Sequence, residues 1–281
     1  MEPPYPLASS GCPASQVPTA TELAWARVTD DALLAVLSEA AAAVRTALDD
    51  LGDWGPAGTR PGQYFSDIAA DRVALDVLRG AGLGVLSEET GPHDTERDLV
   101  VVLDPVDGST NAARGIPWFA TSLCAVDARG PRMALVVNQA TGERFEAVRG
   151  GGALRNGHPT RPTACTRLDD AVLGLTGYPP VDLGWRQMRS LGAAALDLCA
   201  VACGHLDAYI DCSNHAHSPW DYLGGMLVCQ EAGASVAEAS GRELVTLGWT
   251  DRRVPVAAAT PELLVEAVAA RRGFPVPATV A

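Results

Sequence analysis

An apolar run, Leu99-Val-Val-Val-Leu103, ends in two carboxylates three positions apart, Asp104 and Asp107, and passes at once into Gly108-Ser109-Thr110. Pro105 between the acids removes a backbone donor and forces a turn, so the two side chains can converge while the Val106 carbonyl is freed to face a cation. The glycine lets the next stretch of backbone approach a phosphate closely, with N–H groups and hydroxyls at hand, above all where a helix begins. Two more acidic clusters lie at element ends, Ser87-Glu88-Glu89-Thr90 before this run and Trp220-Asp221 far beyond it. All-oxygen surroundings of this kind suit magnesium. Carboxylates at the end of a buried strand cost on the order of several kcal/mol unless something neutralises them, and a divalent cation does so.

The elements that must position these side chains are legible from periodicity and punctuation. Thr29-Asp30-Asp31 offers an N-cap to an alanine-rich amphipathic helix over 32–51 that stops at Gly52. Ser66-Asp67 is expected to cap a second helix over 68–79, ended by Gly80 and Gly82. Apolar runs at 84–87, 99–103, 121–126 and 133–138 predict strands, with tight turns at 150–152 and 156–157. Beyond them the pattern predicts a strand at 171–174, a helix at 191–203, a strand at 208–211 and a helix at 220–232. Strands at 234–236 and 254–258 and a helix at 261–271 close the chain. Such alternation predicts layered α/β architecture. The expected division is a flexible proline-rich arm over 1–28, an N-terminal α+β lobe carrying the metal site over 29–160, and a C-terminal α/β lobe over 161–281.

A chain of 281 residues, 47% of them hydrophobic, has material for a sizeable core. Its formal charge of −13 argues against nucleic acid or an anionic membrane as partner, since both require basic surface. A phosphorylated substrate would be repelled as well, unless bound cations reverse the local field. All 21 basic residues are arginine, which excludes Schiff-base chemistry and a lysine-dependent phosphate loop. Seven cysteines scattered among apolar neighbours fit a reducing compartment, and no signal or membrane segment is evident, so a cytoplasmic location is expected.

The stretch Asp104-Pro-Val-Asp-Gly-Ser-Thr-Asn111, followed by Pro117, resembles the first signature of the inositol monophosphatase family of magnesium-dependent phosphatases. Trp220-Asp-Tyr-Leu-Gly-Gly-Met-Leu-Val-Cys-Gln-Glu-Ala-Gly233 resembles the second. The similarity runs from about Asp67 to the final strands. It implies a layered αβαβα sandwich of the inositol monophosphatase and fructose-1,6-bisphosphatase type. It implies that Glu88, Asp104, the Val106 carbonyl, Asp107 and Asp221 hold two or three Mg2+ ions. Asp67 and Ser109 would act together, the carboxylate drawing a proton through the hydroxyl from the attacking water, which Glu88 helps to hold. On the substrate side the resemblance points to Gly108, Ser109, the small-residue helix start Gly192-Ala193-Ala194, Asp211 as a polyol contact, and Asp221.

The chain departs from the pattern in three places. The family often has threonine where Ala193 stands and a basic residue ahead of the Asp67 segment, where this chain offers only Arg60. The linker from Asp211 to Trp220 is slightly longer. The implied reaction is hydrolysis of a small phosphate monoester, inositol 1-phosphate first and histidinol phosphate second. Relatives also use fructose 1,6-bisphosphate and 3′-phosphoadenosine 5′-phosphate. The implied partners are a small phosphorylated metabolite and a second copy of the chain in a homodimer. A catalytically idle relative that binds polyol phosphates typically loses an acid, and here every acid is present.

Other signals carry less. Cys199, Cys203, His205, Cys212, His215 and His217 fall within nineteen positions, a spacing that permits zinc. Cys199 and Cys203, however, lie four apart on an apolar helical face, where cysteine packs as a small hydrophobe. His215 and His217 are expected in a loop near the mouth of the site. Trp220 is expected to pack in the core, to orient Asp221, or both. Gly150-Gly-Gly152 lacks the spacing of a nucleotide loop.

Overall fold

The computed structural model describes residues 28–213 and 216–274. The expected arm over 1–28, save Val28, and His215 lie outside the described residues. Helix α1 (Asp30–Asp49) begins where Thr29 Oγ1 accepts the Ala32 N–H at 3.3 Å, and it buries Leu33, Leu37, Ala40, Ala41, Val44 and Leu48 along one face. Helix α2 (Phe65–Gly80) starts earlier than the sequence suggested. Tyr64 is its N-cap, and Asp67 lies inside the first turn, reaching back to accept the Tyr64 N–H at 2.8 Å. An acid three positions after the cap does this readily, so Asp67 serves the helix from within.

Eight strands form the first sheet: β1 (Gly84–Ser87), β2 (Gly91–His93), β3 (Val100–Asp107), β4 (Ala120–Asp127), β5 (Gly130–Asn138), β6 (Arg144–Val148), β7 (Gly152–Arg155) and β8 (His158–Pro159). Their order is β2-β1-β3-β4-β5-β6-β7-β8, with β1 and β3 parallel and the other neighbours antiparallel. Strands β2 and β6 to β8 are short and carry Arg, Glu, Gly or Pro, which hides their alternation in the sequence. A five-residue helix, α3 (Ser109–Ala113), follows β3.

The second sheet comprises β9 (Val172–Thr176), β10 (Gln187–Arg189), β11 (Ala208–Asp211), β12 (Ser235–Glu238) and β13 (Pro255–Ala258), in the order β10-β9-β11-β13-β12. Helices α4 (Ala194–Ala202) and α5 (Pro219–Ala232) lie between the sheets, and α6 (Pro261–Arg272) covers the outer face of the second.

The period of two along β3 explains the layering. Val101 and Leu103 face α1 and α2, while Val100 and Val102 face α4 and α5. In the second sheet Tyr209 and Ala257 face the central helices, and Ala208, Ile210, Val256 and Ala258 face α6. The result is the αβαβα sandwich, and β3, buried along its whole length, is its middle. No helix among the described residues is long and apolar enough to cross a membrane.

Helix α4 begins three residues later than expected. Gly192 has φ +89°, in the left-handed region, and Ala193 is extended, so neither can open the helix. Ala193 has no side chain with which to cap it, and the cap comes from elsewhere in the fold.

Candidate active site

The two acids of β3 enter one cleft because the strand is irregular between them. Asp104 pairs with Ser122 and Asp107 with Ala120, and the register shifts across Pro105-Val106. This bulge leaves both carboxylates at the strand's carboxyl end. Asp104 accepts the Val106 N–H at 3.1 Å. Asp107 supplies the missing cap of α4, accepting the N–H groups of Ala194 at 3.2 Å and Ala195 at 2.7 Å.

Glu88 stands just past β1, the parallel neighbour of β3, and its N–H donates to the Leu103 carbonyl at 3.1 Å. Asp221 lies in the first turn of α5, where its carboxylate accepts the Ser218 N–H at 2.8 Å. Asp67 holds the same position in α2, so two of the acids sit at helix N-termini, whose dipoles favour negative charge. Glu88, Asp104 and Asp221 each place a ligand atom within 4.8 Å of the others.

These acids share a cleft of about 660 Å³ with Asp67, Val106, Asp107, Gly108 and Ser109. Gly108 has φ +89°, and a Cβ there would sit 3.0 Å from the Trp118 carbonyl and 3.1 Å from the Ala193 Cβ. Only glycine fits. Ser109 opens α3, where a helix has no internal acceptors for its first N–H groups.

Burial dominates the electrostatics. It pushes the carboxyls of Glu88 and Asp104 well above the usual range, and their neighbours' negative charges add to the effect. Asp107 is raised to about 8, first by burial and then by the charge of Asp221. Asp67 is raised to about 6, again chiefly by burial. Among the described residues no arginine forms an ion pair with Glu88, Asp104, Asp107 or Asp221, although Arg60 pairs with the adjacent Glu89. Crowded oxygen donors that no arginine pairs fit a hard divalent cation, and Glu88, Asp104, Asp107 and Asp221 are the carboxylates placed to hold one.

Some expected contacts are absent. Asp67 and Ser109 line the same cleft, but the hydrogen bonds of Asp67 run to the Tyr64 N–H and, at 3.3 Å, from the Ser66 hydroxyl. Asp211 is fully buried and outside the cleft lining. One of its oxygens accepts the Ser213 N–H at 2.8 Å, and the other has no hydrogen-bond partner. Ala193 and Ala194 are buried too; Gly192 and Ala193 back Gly108, and the Ala194 amide, with that of Ala195, holds Asp107.

Residues beyond the acids complete the site, His217 among them, in line with its expected place near the mouth. His217 bridges Asp221, at 3.1 Å from Nδ1, and the Tyr209 hydroxyl, at 2.7 Å from Nε2, while Tyr209 donates onward to Thr176 at 2.8 Å. Burial alone would lower its pKa, but the Asp221 hydrogen bond and nearby carboxylates raise it to about 9. Glu89 accepts from both Arg60 and Gln63, pinning the glycine-rich loop ahead of α2 over the cleft. Trp249, Thr250 and Arg252 form part of the wall. An Arg-x-x-Gln pair ahead of Ser66-Asp67 was a legible partner for Glu88-Glu89; nothing local marked the other three.

Residues 69–273 match the inositol monophosphatase family, a span that opens two residues after Asp67. A fructose-1,6-bisphosphatase of Pyrococcus furiosus is 32% identical over 70% of this chain and 79% of its own length. An inositol-1-monophosphatase of Mesorhizobium japonicum is 35% identical over 64% of this chain and 74% of its own. Among solved structures, the extragenic suppressor protein suhB from Bartonella henselae superposes with a TM-score of 0.74 at 26% identity, covering 86% of this chain and 99% of that one.

Proposed function

The chain belongs to the inositol monophosphatase family of phosphoric monoester hydrolases, and on that premise we propose that its cleft hydrolyses a small phosphate monoester with Mg2+ held by Glu88, Asp104, the Val106 carbonyl, Asp107 and Asp221. The observation that carries this reading is the trio Glu88, Asp104 and Asp221, drawn within 4.8 Å of one another with no arginine paired to any of them among the described residues and only the imidazole of His217 beside Asp221. When bound, the cation supplies charge for the phosphoryl oxygens and a lowered pKa for water.

The chain's own groups do the rest. Asp67, at about 6, is ionised and still basic near neutral pH, which suits it to take a proton. The Ser109 hydroxyl lies in the same cleft and is the group through which that proton would pass. The N–H groups of Gly108, Ser109 and Thr110 would be the backbone donors to a phosphate, since the first N–H groups of a helix have no internal acceptors. Asp107 is held by two amides of α4, which fixes its direction. Hydrolysis of such esters requires acceleration by up to ~10²¹-fold. One general base contributes only ~10²–10⁴, so fixed charge must carry most of the effect.

Inositol 1-phosphate is the ester expected from the sequence, with fructose 1,6-bisphosphate and histidinol phosphate as alternatives. The burial of Asp211 removes the acid expected to meet a polyol hydroxyl, which weakens the case for inositol in particular. Inorganic phosphate release from a panel of these esters, with and without Mg2+, tests the reading. Mg2+-dependent release from at least one is expected, and none from any would refute it.

A further inference from the structure

One wall of the cleft has no part in this chemistry. Residues 246–253 make a tight turn between β12 and β13. Thr246 donates to Asp251 and accepts the Gly248 N–H at 3.2 Å, and the Asp251 N–H returns to the Gly248 carbonyl at 3.0 Å. A Cβ at Gly248 would lie 2.6 Å from the Asp251 carboxylate, so the turn takes glycine there. Its far end is pinned by backbone bonds between Arg253 and His217 at 2.7 and 2.8 Å. Trp249, Thr250 and Arg252 are thus presented to the cleft as a fixed set.

Arg252 is held in place without being neutralised. Its Nη1 donates to the carbonyls of Trp249 at 3.1 Å and Asp251 at 2.8 Å, and the guanidinium carbon stands 5.8 Å from the centroid of the Trp220 ring. These contacts leave the Nε–Nη2 edge, the fork that takes two oxygens of a carboxylate or phosphate, without a carboxylate partner among the described residues. Arg60, the other arginine of the cleft, is already paired with Glu89. Trp249 rests on Gly91, where a Cβ would be 3.8 Å from the indole, and keeps 44% of its surface exposed. A flat ring supported on one side and open on the other, beside an unpaired guanidinium, is suited to a carbon skeleton bearing an anion.

We infer that Trp249, Thr250 and Arg252 form the subsite for the alcohol half of the substrate, and that this alcohol carries a second anionic group, phosphate or carboxylate, bound by the Nε–Nη2 edge of Arg252. The inference rests on the phosphatase reading above and names the substrate class within it. Asp67, which no arginine pairs among the described residues, repels a second anion. Arg252 is the place where it is attracted, and the sealed Asp211 leaves no competing polyol contact there.

Paired esters differing only in the second anion test this. Fructose 1,6-bisphosphate against fructose 1-phosphate reports a phosphate, and 2-phosphoglycerate against glycerol 2-phosphate reports a carboxylate. The doubly anionic member of at least one pair should win by about tenfold or more in kcat/KM, and Arg252→Gln should cut that ratio about tenfold, through KM. Arg252→Lys should restore part of it. A ratio that Arg252→Gln leaves unchanged, in protein of unaltered melting temperature, overturns the inference. Calorimetric binding of fructose 6-phosphate and of glycerate in chelator, where nothing turns over, separates the two claims. About tenfold weaker binding of either ligand by Arg252→Gln supports the subsite even if no ester is hydrolysed, which would sink the phosphatase reading alone. Equal or undetectable binding of both ligands by both proteins overturns the subsite.

Discussion

Removing divalent cations should make this protein less stable as pH rises, the opposite of the usual acid sensitivity. A buried carboxyl whose pKa is raised keeps its proton in the folded state after the unfolded chain has lost its own, so stability falls as pH climbs from the unfolded to the folded value. Asp107 goes from 3.8 to about 8. Between pH 5.5 and 8 it therefore spans roughly 2.5 units, or ~3 kcal/mol at about 1.4 kcal/mol per unit. Glu88 and Asp104 are shifted the same way. His217, raised from 6.5 to about 9, also contributes stability that is full below 6.5 and lost as pH rises towards 9. The lowered carboxyls, Asp127, Asp169 and Glu238, are ionised in both states throughout this window and do not offset the trend. At roughly 2–4 °C per kcal/mol for a chain of this size, the melting temperature in EDTA should drop by about 6–12 °C from pH 5.5 to 8. Mg2+ should reverse most of that drop, because it binds the ionised folded cage and not the unfolded chain. Calorimetry or dye-monitored melting at the two pH values is sufficient. A chelated melting temperature that is flat or rises with pH would refute the reasoning.

Three substitutions probe separate parts of the site. Gly108→Ala places a Cβ against the Trp118 carbonyl at a φ of +89°; it should cost ~1–2 kcal/mol from the backbone conformation alone, visible as a lowered denaturation midpoint, with kcat reduced as α3 shifts. His217→Ala frees Asp221 and leaves the buried Tyr209 hydroxyl with one partner fewer; Mg2+ affinity measured by calorimetry should weaken ~10–100-fold. Asp67→Asn should lower kcat by ~10²–10⁴ while leaving KM nearly constant in steady-state assays.

The acidic half of the cleft was legible in the sequence because its signals are local. An apolar strand that ends in Asp-Pro-Val-Asp followed by Gly-Ser-Thr states its own geometry, and the structure places Asp104 and Asp107 at the end of a fully buried strand. The layered architecture followed from periodicity, since β3 alternates between two helical layers. What was illegible depends on distant partners. A Gly-Ala-Ala-Ala run gives no sign that a carboxylate 87 residues earlier caps its helix. Asp211 meets His217, whose Nε2 stands 3.9 Å from it, only once the loop beyond β11 has folded back, and the turn that presents Trp249 and Arg252 has no periodicity to reveal it.

The central claim is that the carboxylates gathered around Asp104 hold the cation on which turnover depends. Phosphate release by wild-type protein and Asp104→Asn, measured across a Mg2+ titration on an ester the wild type hydrolyses, tests it most directly. The account predicts saturable Mg2+ dependence in the wild type. In Asp104→Asn it predicts loss of both turnover and Mg2+-induced stabilisation, with a chelated melting temperature at pH 8 at least as high as the wild type's. Turnover that persists in Asp104→Asn at the same Mg2+ midpoint would contradict it.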